Sequence, residues 1–379
     1  MTWVEWVAVV AGVLAVLALA LGLWVWTQQR RMRTRLAPIV PAIASASEPT
    51  RGKLVAFVAN PSKPDVTDLR AEVRKAAAEQ YLPEPLWFET TVEDPGVGQA
   101  REAVAAGADL VVAVGGDGTV RAVAEALAGT GVPMGLMPLG TGNLLARNLD
   151  GPLNDPIAAM QLAVDGRDKR IDVGWLRVLR HESEMDDDIA EAADDKPADT
   201  DEPRDHIFLV IAGLGFDAAM VADADDQLKA RMGWIAYFVA GVKHLHGRRL
   251  RVRVTLDGRP AQQVRLRSLL IGNCGRLPGG ITLLPDAVID DGVLDVAVID
   301  TRGGIAGWAQ LLGEVVLQGV GVRNELPNKI GRIDHARARE LHIEVAGGEH
   351  VQVDGDIVGH AREVTARVDP GALVVRVAR

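Results

Sequence analysis

Residues 110–148 read LVVAVGGDGTVRAVAEALAGTGVPMGLMPLGTGNLLARN, and this stretch decides the fold. The apolar run Leu110-Val111-Val112-Ala113-Val114 predicts a strand. The glycine turn Gly115-Gly116-Asp117-Gly118-Thr119 follows it, and residues 120–127, beginning Val120-Arg121, continue with helical spacing. Met134-Gly135-Leu136-Met137 and the turn Gly140-Thr141-Gly142-Asn143 repeat the arrangement. Two strand–glycine turn–helix units side by side predict an anion site. Glycine lets backbone approach a phosphate closely, and free N–H groups at helix starts point at it. Thr119 and Asn143 are expected as N-caps. Asp117, an acid in a turn built for anions, is expected to face a metal ion or a bound water.

Neither turn is a P-loop, which needs Lys-Ser/Thr after its last glycine; Val120 and Leu144 stand there instead. Neither is the G-x-G-x-x-G dinucleotide pattern. Working outward, residues 52–168 alternate strands (near 54–59, 86–90, 110–114, 134–137) with helices (near 67–79, 97–106, 120–128, 155–165). Such alternation predicts an α/β nucleotide-binding domain with a parallel sheet, whose ligands sit beyond the carboxyl ends of the strands. Asn60, Thr91, the 115–119 turn and the 138–143 turn all fall at such ends.

From 169 to 379 the pattern changes to short β-rich runs, at 171–179, 207–213, 250–256, 263–272, 294–299, 340–345, 350–353, 363–368 and 373–377. These predict a mostly antiparallel β-sandwich, with the C-terminal tail free to pack back on the first domain. Two apolar helical stretches, near 222–246 and 304–319, interrupt it. They either pack against the sheet or open a hydrophobic mouth for an acyl chain. Residues 181–206 carry twelve acids against Lys196 and Arg204, so this insert accounts for the formal charge of −10. Poor in apolar residues, it reads as a disordered surface loop.

Residues 7–26 carry no charge and are long enough to cross a bilayer. Trp3, Trp6, Trp24 and Trp26 flank them, and Arg30, Arg31, Arg33 and Arg35 follow. The arrangement predicts a single-pass transmembrane anchor over residues 1–36, with everything after residue 30 cytoplasmic. A cleaved signal peptide is the competing reading, but its basic leading region is missing. Residues 37–51, with Pro38, Pro41 and Pro49, form a linker. Cys274 is alone, which excludes an internal disulfide, and the eight His show no ligand spacing. With no basic stripe and 4% aromatic residues, nucleic acid is not an expected partner. A homodimer is compatible with everything above.

The glycine turns also carry a family resemblance. Gly115-Gly116-Asp117-Gly118-Thr119 is similar to the turn of diacylglycerol and sphingosine kinases, NAD kinases and phosphofructokinases, and Pro138-Leu139-Gly140-Thr141-Gly142-Asn143 narrows the match to the lipid kinases. Asn60-Pro61 after the first strand, Ile271-Gly272-Asn273 through Gly279-Gly280, Leu284-Pro285-Asp286-Ala287, Asp291-Gly292-Val293-Leu294-Asp295 and Val353-Asp354-Gly355-Asp356 extend it. Over about residues 52–379 the chain resembles a bacterial diacylglycerol kinase of the soluble catalytic-domain type, here with a membrane anchor.

The resemblance implies ATP and Mg2+ as cofactors and a diacylglycerol-like lipid as substrate. It implies that Asn60, Pro61, Ser62, Lys63, Pro64, Thr91, residues 115–121 and the Gly140–Asn143 turn line the nucleotide. Asp117 would hold the catalytic ion, and Asp354 and Asp356 are the candidate bases. A structural Mg2+ would join Asp291 to the carbonyls of Val288 and Val293. Asp354-Gly355-Asp356 also reads as a plain β-turn, and Asp291-Gly292 as a plain strand connection. Three departures stand out. Asp-Gly-Asp replaces the family's Asp-Gly-Glu, Ser62-Lys63-Pro64 replaces a Ser-Gly ending, and Leu144 follows Asn143 where many relatives have an acid. A sphingoid or other lipid alcohol is the alternative acceptor, and a membrane-tethered nucleotide-binding regulator without catalysis is the alternative class.

Overall fold

A computed structural model describes residues 53–63, 66–79, 83–153, 155–181, 204–215, 249–276, 282–301 and 331–379. The first half runs β1 (Val55–Ala59), α1 (Val66–Glu79), β2 (Leu86–Glu89), α2 (Val97–Ala105), β3 (Leu110–Gly115), α3 (Asp117–Leu127), β4 (Met134–Pro138), α4 (Leu144–Asn148) and α5 (Pro156–Asp165). β1 pairs in parallel with β2 and β3, and β3 with β4, giving the order β2-β1-β3-β4. The sheet is covered on both faces, so β3 is apolar along its whole length. Ala56, Val58, Val111 and Ala113 pack with Ala100 and Ala103 of α2 and Val120, Val123 and Leu127 of α3. Phe57, Val112, Val114 and Met137 pack on the other face with Leu69 and Val73 of α1 and Met160 of α5. Alternation along each strand sends successive side chains to opposite layers. The chain order reverses between β1 and β3, the point where doubly wound sheets open a crevice for ligands.

The second half runs β5 (Arg167–His181), β6 (Asp205–Phe208), β7 (Ile211–Gly215), β8 (Leu250–Leu256), β9 (Gln262–Leu266), β10 (Ser268–Gly272), β11 (Leu294–Thr301), β12 (Gly331–Ala338), β13 (Glu340–Val353) and β14 (Asp356–Val377). It forms an antiparallel β-sandwich domain, with Leu176, Phe208, Leu269, Leu341, Ile343, Val351 and Val353 in its core. The strand order β12-β11-β10-β7-β13-β14 continues into β4, where Val375 lies opposite Met134. One hydrogen-bonded network therefore ties both domains together and fixes the hairpin between β13 and β14 relative to the glycine turns.

Several details differ from the expectation drawn on the sequence. α3 starts at Asp117, so Gly116 is its N-cap and Thr119 lies inside the helix. The run expected at 207–213 is broken at Leu209-Val210, and those expected at 340–345 and 350–353, and at 363–368 and 373–377, merge into two long strands. The sequence gives no sign of β12: Gly-Arg-Ile-Asp-His-Ala-Arg-Ala is that of a polar edge strand, paired among the described residues only to β11. Among the described residues no helix is long and apolar enough to cross a membrane. The span predicted at 7–26, the apolar stretches at 222–246 and 304–319, and most of the acidic insert lie outside the described residues.

Candidate active site

The two glycine turns touch each other. A Cβ built on Gly140 would lie 2.7 Å from the Gly116 Cα, so the turns meet backbone to backbone where only glycine fits. The Leu139 N–H donates to the Gly115 carbonyl (2.8 Å), holding the second turn against the first. Asn143 sits at φ 48° at the start of α4. Its side chain does not cap that helix; it accepts from the Gly140 N–H (3.0 Å) and donates to the Gly140 carbonyl (2.8 Å). Thr141, at the tip, is exposed.

Asp117, expected to face a metal ion or a bound water, also has a structural role. Its two carboxylate oxygens accept the backbone N–H groups of Asn143 (2.9 Å) and Leu144 (2.6 Å). It acts as a cap in trans, supplied to α4 from α3, and a Cβ on Gly142 would lie 2.5 Å from it. Burial raises its pKa, those two N–H groups oppose the rise, and the Asp356 charge adds to it.

Beside the turns, the Asn60 N–H donates to the Val114 carbonyl (2.9 Å), and the Asn60 Oδ1 accepts from the Ser62 N–H (3.0 Å) and Oγ (2.7 Å). This Asx turn swings the chain through exposed Pro61 to Lys63, whose Nζ lies 4.0 Å from a Cβ built on Gly116. Lys63 thus leans over the first glycine turn. Pro64 lies outside the described residues. Thr91 ends the β2 side as an exposed turn residue, its Oγ1 accepting from the Asp94 N–H (3.0 Å).

The β13–β14 hairpin reaches the same place from the second domain. Its two turn residues, Asp354 (φ 47°) and Gly355 (φ 90°), both have positive φ, as tight hairpins of the primed type require. The two candidate bases stand in different surroundings. Asp354 is buried, and its carboxylate accepts N–H groups of Leu209 (2.7 Å), Val210 (2.9 Å) and Ile211 (2.9 Å) across the break between β6 and β7. Burial pushes its pKa up to about 6, against the pull of those three donors and of Arg121. Asp356 keeps 57% of its side chain exposed. It pairs with the Arg121 guanidinium and lies 3.9 Å from a Cβ built on Gly118. Val120 is buried and anchors the helix that carries Arg121.

Three residues not singled out as site residues complete the frame. Asn273 donates to the carbonyls of Asp172 (2.8 Å) and Leu209 (3.1 Å), locking the β6–β7 break that holds Asp354. Asp172, buried in β5, accepts from the Gly292 (2.6 Å) and Gly371 (2.7 Å) N–H groups. His206 in β6 is held below the ordinary imidazole range by burial first, then by Arg204 and Arg121. The Cys274 thiol is buried and its pKa is raised by that burial, which leaves it unreactive.

The cation implied between Val288, Asp291 and Val293 does not fit the residues present. One Asp291 oxygen accepts from Arg337 and the other from the Val293 N–H (3.3 Å). Arg337 also pairs with buried Asp295 (3.3 Å), and Val288 points an exposed side chain to solvent. No group of three or more His, Cys, Asp or Glu is placed to hold a metal among the described residues.

Residues 55–176 match the family model of the diacylglycerol kinase catalytic domain, and residues 210–377 match that of the YegS C-terminal NAD kinase beta sandwich-like domain. A diacylglycerol kinase of Mycobacterium tuberculosis is 31% identical over 257 residues, covering 67% of this chain and 72% of that protein. A Pseudomonas aeruginosa protein named "Probable lipid kinase YegS-like" is 33% identical over 317 residues, 80% of this chain and 89% of that one. The chain belongs to the diacylglycerol kinase-like lipid kinase family. A crystal structure of a diacylglycerol kinase from Bacillus anthracis shares the fold, with a TM-score of 0.61 at 22% identity over 86% of this chain and 96% of that one. As a member of the lipid kinase family, the chain is a kinase-type phosphotransferase.

Proposed function

We propose that the protein transfers the γ-phosphoryl group of ATP to the hydroxyl of a membrane lipid, with diacylglycerol the leading acceptor and phosphatidate the product. The observation that carries this reading is the position of Asp356. It is an exposed carboxylate delivered by the second domain to within reach of Gly118 and Arg121 on the phosphate turn.

The chemistry follows from that placement. The N–H groups of the two turns and the Lys63 ammonium take the nucleotide phosphates. Arg121, at rest on Asp356, turns its guanidinium to the incoming phosphates, whose fork geometry it matches. That exchange uncovers the Asp356 carboxylate beside the transferring group. The lipid hydroxyl oxygen bonds to the γ-phosphorus, the bond from that phosphorus to the bridging oxygen of ADP breaks, and the hydroxyl proton passes to Asp356 late in the transfer. Mg2+ carried on the nucleotide's own phosphates would neutralise charge there and needs few protein ligands. Asp354 does not take the proton in this scheme; it holds the hairpin. The short Asp356 side chain suits a hairpin drawn close by Arg121. The predicted span at 7–26 would keep the catalytic domains at the cytoplasmic face of the bilayer, where the acceptor lies.

The test is an assay with radiolabelled ATP and a panel of detergent-dispersed lipids. Label in phosphatidate supports the proposal. Label only in a sphingoid or other lipid alcohol keeps the reaction and changes the acceptor. Nucleotide binding with no labelled lipid removes catalysis and selects a regulator.

A further inference from the structure

On the outer face of the antiparallel domain lies a second basic surface, on the order of 25 Å along β13 from the Asp354–Gly355 turn at the usual strand rise. Here the adjacent strands are β5, β14, β13, β8 and β9, and one cross-strand row reads Arg180, Glu363, Glu344, Arg253, Gln263. Each arginine of that row has an acid: Arg180 pairs with Glu363 (2.5 Å) and Arg253 with Glu344 (3.2 Å). The next row on the same face breaks the rule. Arg251 stands directly opposite Arg265 in the ladder, both exposed, and among the described residues neither has an ion pair or hydrogen bond.

Like charges directly opposite one another on a sheet face destabilise it. The neighbouring row shows that this sheet supplies acids where arginines serve structure alone. The unmatched pair opens onto a cavity of about 700 Å3, lined among the described residues by five arginines and His181 against one glutamate. Its concavity comes from a bulge: the β13–β14 register shifts between Glu344 and Glu349, with Gly347 (φ 90°) and Gly348 (φ 68°) turning the strand aside.

We propose that this basin binds the phosphodiester headgroup of an anionic phospholipid and so docks the β-sandwich domain on an acidic bilayer surface. Guanidinium forks match phosphate oxygens, and several converging forks favour a phosphate over a carboxylate or halide. Among the described residues no Phe, Tyr or Trp lines the basin, and so none offers the stacking platform that a single-stranded nucleic acid would use. Outside residues 181–206, which carry the net −10, the chain is close to neutral, so attraction to an acidic membrane has to come from a local cluster such as this one. The docking site is separate from phosphotransfer and does not depend on which alcohol is phosphorylated.

The test uses the full chain in neutral detergent and titration calorimetry with dihexanoyl phosphatidylglycerol below its micelle concentration. Saturable binding is expected, weakening as salt is raised, absent for the zwitterionic dihexanoyl phosphatidylcholine, and reduced at least about tenfold in the Arg251→Glu/Arg265→Glu variant. The single variant Arg251→Glu places opposite charges in register, so its melting temperature should rise while headgroup binding falls. Unchanged affinity in either variant overturns the proposal. So does inorganic phosphate that binds as tightly and displaces the lipid, which would make this a free-phosphate site. Tighter binding of an oligothymidylate would assign the basin to nucleic acid and overturn it equally. Calorimetry is read without ATP, so a chain that fails as a kinase leaves this result standing, and the reverse also holds.

Discussion

Arg121 on α3 pairs with Asp356 at the tip of the β13–β14 hairpin, and this contact joins the first glycine turn and its helix to the hairpin of the second domain. The Arg121 side chain is 19% exposed and the Asp356 side chain 57%, so the pair is held from the helix side and open on the hairpin side. Asp356→Asn keeps the shape and removes the proton acceptor. Its kcat should fall by about 10²–10⁴ with nucleotide affinity and melting temperature nearly unchanged. Arg121→Met should instead weaken nucleotide binding while leaving Asp356 exposed. Steady-state kinetics and nucleotide titration on both variants separate the roles, and equal activity in Asp356→Asn would remove the base assignment.

Asp354, two residues away, should behave in the opposite manner. Asp354→Asn turns an N–H group toward backbone donors that the carboxylate now satisfies. A lost acceptor for buried N–H groups costs about 1–3 kcal/mol. The melting temperature should drop, and activity should fall with the folded fraction. The pH dependence has a definite sign. The folded pKa is raised, to about 6 from an ordinary 3.8, so the folded state holds the proton more tightly than the unfolded chain. The stabilising contribution linked to this group is therefore full below about pH 4 and lost as pH rises through about 6. The gap in melting temperature between wild type and Asp354→Asn should narrow across that window. A gap that widens with pH would show that the three N–H donors outweigh burial.

Much of this site is legible in the sequence because its determinants are local. The two glycine turns, the Asn60-Pro61 turn and the parallel strands are each set by residues a few positions apart, so periodicity and turn chemistry find them. Other features depend on partners far along the chain. Asp172 reads as one polar residue in a strand, yet its partners are Gly292 and Gly371, 120 and 199 positions away. Asp354 reads as a turn residue or a base, and its partners, Leu209, Val210 and Ile211, lie about 145 positions earlier. β12 escapes notice because an edge strand with a solvated face needs no apolar alternation.

Asp117 has a structural role that its place in a turn does not reveal. As an exposed turn acid it would be dispensable for folding; as the acceptor for Asn143 and Leu144 it joins the two glycine turns. Asp117→Ala should lower stability by about 1–3 kcal/mol and loosen α4 as well as abolish phosphate binding. Amide exchange at residues 143 and 144 reads this directly. Protection unchanged from wild type would return Asp117 to a purely ligand-facing role. Gly140→Ala should lose nucleotide affinity and stability together, since the added Cβ would meet the Gly116 backbone at 2.7 Å.

Arg337 makes the remaining prediction, because it stands where the family resemblance implies a structural cation. Its guanidinium bridges Asp291 and Asp295, and burial raises the Asp295 pKa while Arg337 pulls it back. A fixed internal cation makes a bound one unnecessary. The melting temperature of the nucleotide-free protein should therefore not move when magnesium is exchanged for a chelator. Arg337→Gln leaves two neighbouring carboxylates without their counter-charge and should lower stability by about 1–3 kcal/mol, discounted because the arginine is half exposed. In that variant alone, magnesium should restore part of the loss by binding the vacated acids. The wild-type chain tested beside it decides the matter. If chelation lowers the wild-type melting temperature, and Arg337→Gln responds no more strongly, the loop holds a metal and the guanidinium is not its replacement.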